Sequence, residues 1–396
     1  MTNKIMILGA GPSQISGVIS AKKLGLHVIT VDWDLNNPAH RFSDDSHCVD
    51  ISDVDSLAIL ARELSVDGVC TFASDLGAIS SSLVCHQVGL NGVPRRVTEI
   101  FSNKYNFRKF QMEKSFRYPE FIRVGLDWDQ KIPQSLGKSM IVKPTDSSGS
   151  KGVTQVNSND DSICHAVNYA IQKSREKKAI IESRLGGFEV GGDGFIVNGM
   201  LQVFPTNKYM EGNRVMGHTF PSELGSQVIS NIETAISELC DSVGYSDGPL
   251  NFDVFVEDQD ITVLEISPRT GGNGIPEIIR ATTGIDLNIM TINFALGTEF
   301  AFVSPNYEGG KHISENICPE ISGFIENMSS EEEMRISIPS IVDFFQIMEV
   351  GQKFELKQDS TDVAVLLTAS LEESSRDDFV TRVKDKIGLR IISDYS

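Results

Sequence analysis

Asn251–Gly274, NFDVFVEDQDITVLEISPRTGGNG, reads as two short strands joined by a tight acidic turn. Phe252, Val254 and Val256 alternate with Asp253 and Phe255, and Ile261, Val263 and Ile266 frame Glu265. Glu257-Asp258-Gln259-Asp260 supplies residues that accept a turn. Antiparallel pairing across that turn brings Asp253 and Glu265 to one face. Two carboxylates held together in an apolar setting repel each other unless a cation sits between them. Mg²⁺ prefers oxygen ligands of this kind. Arg269 follows, then Gly271-Gly272, where the missing side chains let backbone approach a ligand. The set points to Mg-bound phosphate chemistry. A plain surface hairpin with solvated acids accounts for the same residues when the stretch is taken alone.

The chain has 396 residues, enough for two or three domains, and 40% hydrophobic against 22% charged residues is ordinary for a globular protein. The net charge is −19. That argues against a general nucleic-acid binder, which needs local positive charge to meet a phosphate backbone. A nucleotide site needs only a few placed cations. The cysteines at 48, 70, 85, 164, 240 and 318 form no CxxC and no zinc spacing with histidine. They read as reduced thiols of a reducing compartment. MTNKIMILGAG runs straight into a strand without a signal-peptide core, and no segment is apolar enough to span a bilayer. The expectation is a cytoplasmic protein with no membrane contact.

Residues 1–95 alternate strands (Lys4–Leu8, His27–Asp32, Gly68–Phe72) with helices (Ser13–Leu24, Asp53–Leu64, Leu76–Val88), which implies a parallel sheet. Gly9-Ala10-Gly11 and Asp32 invite a dinucleotide reading, but Gln14 stands where the fingerprint needs glycine and Gly17 comes three residues late. A Rossmann-like domain whose first glycine turn serves another ligand fits better. Val97–Met112 reads as one helix with Ser102-Asn103-Lys104 near its start. Gly137-Lys138-Ser139 fails as a P-loop, because position 132 is Ile and a strand follows. That strand, Met140–Lys143, leads into Asp146–Gly152, a Ser/Gly loop whose N–H groups and hydroxyls suit anionic oxygens. A linker hairpin explains it as well. Arg184–Gly194 is a glycine-dense bend flanked by Glu182 and Glu189, Asn198-Gly199 is a hairpin signal, and Ser222–Val243 is an amphipathic helix. From about residue 308 short strands (Ser322–Glu326, Arg335–Ile338, Asp362–Leu367, Leu389–Ile392) and helix Ser374–Ile387 carry no catalytic constellation, and Glu331–Glu333 reads as a solvated helix start.

This order of parts resembles the ATP-grasp superfamily over essentially the whole chain. It is most similar to the carboxylate–amine ligase branch, with its phosphoribosylaminoimidazole carboxylase ATPase subunits, carbamoyl phosphate synthetase halves and L-amino acid ligases. The resemblance implies an α/β fold: a Rossmann-like pre-ATP-grasp domain (1–95), a linker helix (96–115), a two-part ATP-grasp domain (lid 116–185, central part 186–307) and a small C-terminal α+β domain (308–396). It implies that Lys104 and Lys143 contact ATP phosphates, and that Ser147, Ser148, Gly149, Ser150 and Gly152 belong to the flap over them. By the same resemblance Glu182, Ser183, Arg184 and Leu185 form the adenine hinge, Glu189 holds the ribose, and Asp253 and Glu265 hold Mg²⁺, with Mn²⁺ as a substitute. Arg269 would act with Lys143 on the transferred phosphoryl group. Each residue alone has an ordinary reading as a surface lysine, a capping glutamate or a salt-bridged arginine.

The activity implied is ATP-dependent activation of a small-molecule carboxylate as an acyl phosphate, joined to an amine with release of ADP and phosphate. A bicarbonate-activating carboxylase and an inactive nucleotide-binding protein are the alternatives. Lys208, Arg214 and His218 lie between hinge and metal hairpin and are candidates to face the acceptor. Relatives are commonly homodimers. Two positions depart from the commoner pattern: Ser267 stands where Asn is frequent, and Asp253 where Glu is frequent.

Overall fold

The computed structural model describes residues 2–392 apart from 148, 159–161, 213, 300, 303, 357–362 and 372–374. In the N-terminal part, β1 (Lys4–Leu8), α1 (Ile15–Lys23), β2 (His27–Asp32), β3 (Asp45–Cys48), α2 (Val54–Leu64), β4 (Gly68–Cys70) and α3 (Asp75–Val88) follow in order. The strands form a parallel sheet ordered β3-β2-β1-β4. Alternate residues of β1 feed two cores, Ile5 and Ile7 on one side, Met6 and Leu8 on the other. Such burial on both faces is what a sheet covered by helices requires. β3 is an addition to the sequence reading; its DSHC is too polar to announce a strand. The late Gly17 has a packing cause. A Cβ there would fall 2.3 Å from the Phe72 ring, so α1 needs a bare residue to lie on the sheet.

The single helix expected over 97–112 is two, α4 (Arg95–Phe101) and α5 (Lys104–Glu113). Asn103 breaks the run because its side chain caps α5, accepting from the N–H groups of Tyr105 and Asn106 at 3.1 and 3.2 Å. Lys104 thereby starts α5, and its N–H bonds Thr145 O at 2.8 Å. β5 (Phe121–Val124), β6 (Ser139–Pro144), β7 (Thr154–Asn157), α6 (Ile163–Lys173) and β8 (Ala179–Ser183) build an antiparallel sheet ordered β5-β8-β6-β7 under one helix.

The rest is organised by an eight-stranded sheet. β9 (Phe188–Val197), β10 (Met200–Glu211), β11 (Arg214–Phe220), α7 (Ser226–Val243), β12 (Gly248–Glu257), β13 (Asp260–Ser267), α8 (Ile275–Thr283) and α9 (Leu287–Ala295) come first. Then follow β14 (His312–Ile317), β15 (Gly323–Asn327), α10 (Glu331–Ser337), β16 (Ile341–Gln346), β17 (Lys353–Phe354), β18 (Val365–Ser370), α11 (Arg376–Ile387) and β19 (Arg390–Ile392). The large sheet runs β13-β12-β9-β10-β11-β14-β18-β16, so strands on both sides of residue 307 share it. β10 runs well past Phe204, where the polar Asn207-Lys208 hides the alternation, and β11 completes its hairpin. The strand expected at Arg335–Ile338 is instead the end of α10 and the residue after it. Ser330 and Glu333 cap each other there, a local signal that outweighs the apolar Ile336 and Ile338. Two expected C-terminal elements began at Asp362 and Ser374, which lie outside the described residues.

Candidate active site

The β12–β13 hairpin closes through Asp258 and Gln259, with Asp258 in a left-handed conformation. Asp253 pairs directly with Glu265, as the alternation predicts. A register shift follows Asp253, leaving Leu264 unmatched, and this is why the apolar positions step from Val263 to Ile266. Asp253 also pairs with Gly191 of β9, and a Cβ at 191 would meet Asp253 Oδ1 at 2.8 Å. Lys208 of β10 reaches across β9 and ion-pairs with Asp253 at 3.2 Å and with Glu189. Burial holds Asp253 above the usual carboxylate range against the pull of Lys208. Burial opposes the Lys208 charge, but Asp253 and Glu189 outweigh it and hold that ammonium above the lysine range.

The lysines named from sequence arrive from two other elements. Lys104 Nζ donates to Ser147 O at 2.8 Å and stands 3.3 Å from Glu265 Oε2. Lys143, at the end of β6, pairs with Glu182 Oε2 at 2.6 Å. Arg108 completes this cluster. Fully buried, it donates from Nε to Glu182 at 2.8 Å, from Nη1 to Gln111 at 2.9 Å and from Nη2 to Leu264 O at 2.8 Å. Burial alone would raise the Glu182 carboxyl; Arg108 and Lys143 outweigh it and hold the group ionised. Burial lowers Lys143, with Arg108 and Lys104 acting in the same direction against Glu182. Glu182 was placed in the hinge by resemblance; its side chain ties Lys143 to α5. Arg108 was missed, although an arginine sharing a helix face with Phe107 and Gln111 beside Phe110 is the signal that finds it.

Arg269 is held by the N-terminal part. Its Nε and Nη2 reach Asp75 Oδ1 at 2.8 and 2.7 Å, and Nη1 donates to Thr270 O at 3.1 Å. Asp75 opens α3 behind the Ser74 cap. Burial opposes its charge, yet Arg269 and Lys104 keep it ionised, and the Ser267 hydroxyl is among its hydrogen-bond partners. Ser267 therefore serves the Arg269 anchor. The loop after Arg269 rests on Asp193 of β9, whose two oxygens accept from Gly271 N at 2.8 and 2.9 Å while Asn251 Nδ2 donates to it at 2.9 Å. Asp75 and Asp193 were missed because their partners lie 194 and 78 residues away in the chain.

In the segment expected to form the hinge, Ser183 N–H bonds Glu120 O at 2.8 Å and Arg184 N–H bonds Ser139 O at 3.0 Å, fixing the turn from β8 towards Leu185. The loop expected to form the flap has Gly149, Ser150 and Gly152 at positive φ; Ser148 lies outside the described residues. Glu189 is exposed and faces Lys208. His218 is buried, with Nδ1 3.0 Å from Thr206 Oγ1. Arg214 pairs with Glu211 at 3.0 Å. The donors fit Mg²⁺ carried on phosphate oxygens: two facing carboxylates, with no cluster of three or more ligating side chains among the described residues. Mg²⁺ commonly takes one or two protein carboxylates and completes its shell from phosphate and water.

Residues 136–277 match the family model described as ATP-grasp domain. A formate-dependent phosphoribosylglycinamide formyltransferase of Prochlorococcus marinus subsp. pastoris is 27% identical over 290 residues, 70% of this chain and 72% of that protein. A protein of the same name from Syntrophotalea carbinolica is 23% identical over 322 residues, 78% of this chain and 79% of its own. Among solved structures, an L-amino acid ligase from Bacillus licheniformis is similar with a TM-score of 0.78 at 19% identity, covering 99% of each chain. A phosphoribosylglycinamide synthetase from Anaerococcus prevotii gives 0.76 at 19% identity, covering 99% of this chain and 100% of that one. At these identities the structural likeness speaks for the fold.

Proposed function

We propose that the chain, whose residues 136–277 match the ATP-grasp domain model, is an ATP-grasp protein acting as an ADP-forming ligase that activates a small carboxylate as its acyl phosphate and passes it to an amine. The observation that carries this reading is the convergence of Lys104, Arg269 and the Asp253–Glu265 pair, from three elements, on one seam. Asp253 and Glu265 would hold Mg²⁺, which when bound would neutralise phosphate charge. Lys104 and Lys143 would meet phosphate oxygens as point charges, and Ser147–Gly152 would cover them. Arg269, steadied by Asp75, would hold the transferred phosphoryl group. Catalysis would be positioning and charge neutralisation, without a protein nucleophile.

Lys208 Nζ stands 3.2 Å from Asp253 Oδ1, one of the two carboxylates that would hold Mg²⁺. The ion would compete with that ammonium for Asp253. The test supplies carboxylates with ATP, Mg²⁺ and hydroxylamine, and reads hydroxamate with ADP release. Glu265→Gln is expected to lower turnover by about 100-fold or more, as loss of an electrostatic catalytic group does. Wild-type rates in a folded Glu265→Gln protein would remove the metal assignment. Among the described residues no helix is long and apolar enough to cross a membrane. A homodimer, which the family resemblance implies, would be read by light scattering.

A further inference from the structure

α5 stands between the two parts that supply the proposed nucleotide site. Its Lys104, Arg108 and Gln111 are spaced i, i+4 and i+7, so they share one helix face. On one side this face meets the β5-β8-β6-β7 sheet and the loop after β6. Lys104 N–H bonds Thr145 O and Lys104 Nζ bonds Ser147 O, both at 2.8 Å, and Arg108 Nε donates to Glu182 Oε1 at 2.8 Å. On the other side it meets β13. Lys104 Nζ stands 3.3 Å from Glu265 Oε2, Arg108 Nη2 donates to Leu264 O at 2.8 Å, and Gln111 Nε2 donates to Val263 O at 2.8 Å.

β13 is the outer strand of the large sheet, and the register shift leaves Leu264 without a residue opposite it on β12. Its carbonyl takes its donor from Arg108 instead, directly beside Glu265. Glu182 divides its two oxygens, Oε1 to Arg108 and Oε2 to Lys143 Nζ at 2.6 Å. The carboxylate therefore cannot turn without losing one cation. Arg108 cannot turn either: it is fully buried, and its Nη1 donates to Gln111 Oε1 at 2.9 Å. A guanidinium is planar with its donors in a rigid fork, so three partners in fixed directions settle its plane. That plane is shared by Glu182, which holds Lys143, and by the backbone next to Glu265. An ammonium has a single nitrogen and cannot serve both sides in this geometry.

We propose that Arg108 is a positioning residue that couples Lys143 to Glu265, so that one side chain sets the phosphate contact of the first and the metal contact of the second. Buried behind both, it acts through Glu182 and through Leu264 O. This rests on the phosphate and metal roles proposed above and adds the device that sets them together.

Arg108→Lys keeps the charge and removes the fork, so it separates position from charge. Calorimetric binding of three probes is compared with the wild type: adenosine, AMP-PNP in EDTA, and AMP-PNP with Mg²⁺. Adenosine is the reference. The backbone of Glu182 is held between β5 and β6, so the adjoining segment expected to read adenine stays in place and the adenosine Kd should not change. AMP-PNP in EDTA should bind about tenfold more weakly, the worth of one charge-assisted hydrogen bond. Mg²⁺ should widen that deficit several-fold, because Glu265 is displaced as well. Gln111→Met removes the Nη1 acceptor and the donor to Val263 O without altering charge. It should weaken AMP-PNP in the same pattern by a smaller factor, and it decides if Arg108→Lys does not fold. Equal weakening of all three probes would mean loosened packing alone. An unchanged AMP-PNP Kd in a folded variant, or a deficit that Mg²⁺ does not widen, would mean that the two sides are not coupled. Each of these results overturns the proposal and leaves the ligase reading, which hydroxamate formation by the wild type judges separately. Failure of the wild type to bind AMP-PNP would bring down the nucleotide reading and the coupling with it.

Discussion

His218 shows how burial turns one side chain into a pH-sensitive part of the fold. Burial and the neighbouring Lys208 charge lower it from 6.5 to about 3, so the native state keeps it neutral where the unfolded chain takes up a proton. Its contribution to stability is complete above pH 6.5 and is lost as the pH falls from there towards 3. The slope is at most about 1.4 kcal/mol per pH unit. Asp193, raised to about 6, and Glu277, raised to about 7, act in the opposite sense, since the native state binds their protons more tightly. The wild-type profile therefore mixes the two, and the difference between proteins isolates His218. His218→Asn keeps a hydrogen-bonding partner for Thr206 and removes the titration. Urea unfolding at pH 7 and pH 4.5 should show the variant losing less stability on acidification than the wild type; equal losses would show that His218 is not held neutral. At this scale the residues of the nucleotide reading could be named because they stand in the order of a known family. Their partners were not. Arg108, Asp75 and Asp193 act through contacts made only when distant segments meet, and a lone charged residue in a sequence does not say whom it faces.

At the scale of elements, the hairpin at 251–267 was readable because alternation and an acidic turn fix its register, and the register puts Asp253 opposite Glu265. β11 and β14 were unreadable for the converse reason. Their residues are buried on both faces and include His218, Thr219, Ser314, Glu315 and Asn316, so the polar and apolar positions do not alternate. The central strand β9 carries glycines at 191, 192 and 194 in a stretch where the partner strands come close. Gly191 makes the sharpest case, because a methyl there would stand 2.8 Å from Asp253 Oδ1 and must displace that carboxylate. Its φ is not in the left-handed region, so alanine adds crowding without the strain of an inverted backbone. Gly191→Ala should raise the Mg²⁺ concentration needed for half-maximal ADP release several-fold, while overpacking costs about 1–3 kcal/mol of stability. A variant with full thermal stability and an unchanged Mg²⁺ requirement would mean that Asp253 does not need the space that glycine leaves.

For the whole molecule, the C-terminal segment is tied to the same sheet that carries the Asp253–Glu265 hairpin. β14 hydrogen-bonds to β11, so one continuous sheet runs from β13 to β16, and α11 is strapped to it by Arg376. Arg376 Nη2 donates to both oxygens of Glu315 at 2.8 Å, and its guanidinium carbon lies 4.2 Å from the centre of the Tyr209 ring on β10. Glu315 is buried, and burial pushes its carboxyl up to about 7 even against the Arg376 charge. A raised carboxyl favours the native state fully below its ordinary value near 4.5, and that contribution is lost as the pH rises through 7. Without Arg376 the group is raised further, so the native state must either keep the proton or bury an uncompensated charge. Arg376→Met should therefore cost little at pH 5, where Glu315 is protonated in both proteins, and most at pH 8, up to the roughly 3–5 kcal/mol typical of a broken buried pair. The comparison is urea unfolding at the two pH values, with amide exchange of β14 and β18 followed alongside. Because the sheet is continuous, both strands should lose protection together as the pH rises. A deficit equal at pH 5 and pH 8 would assign the loss to the contact with Tyr209, and separate loss of β18 would show that the C-terminal segment opens on its own.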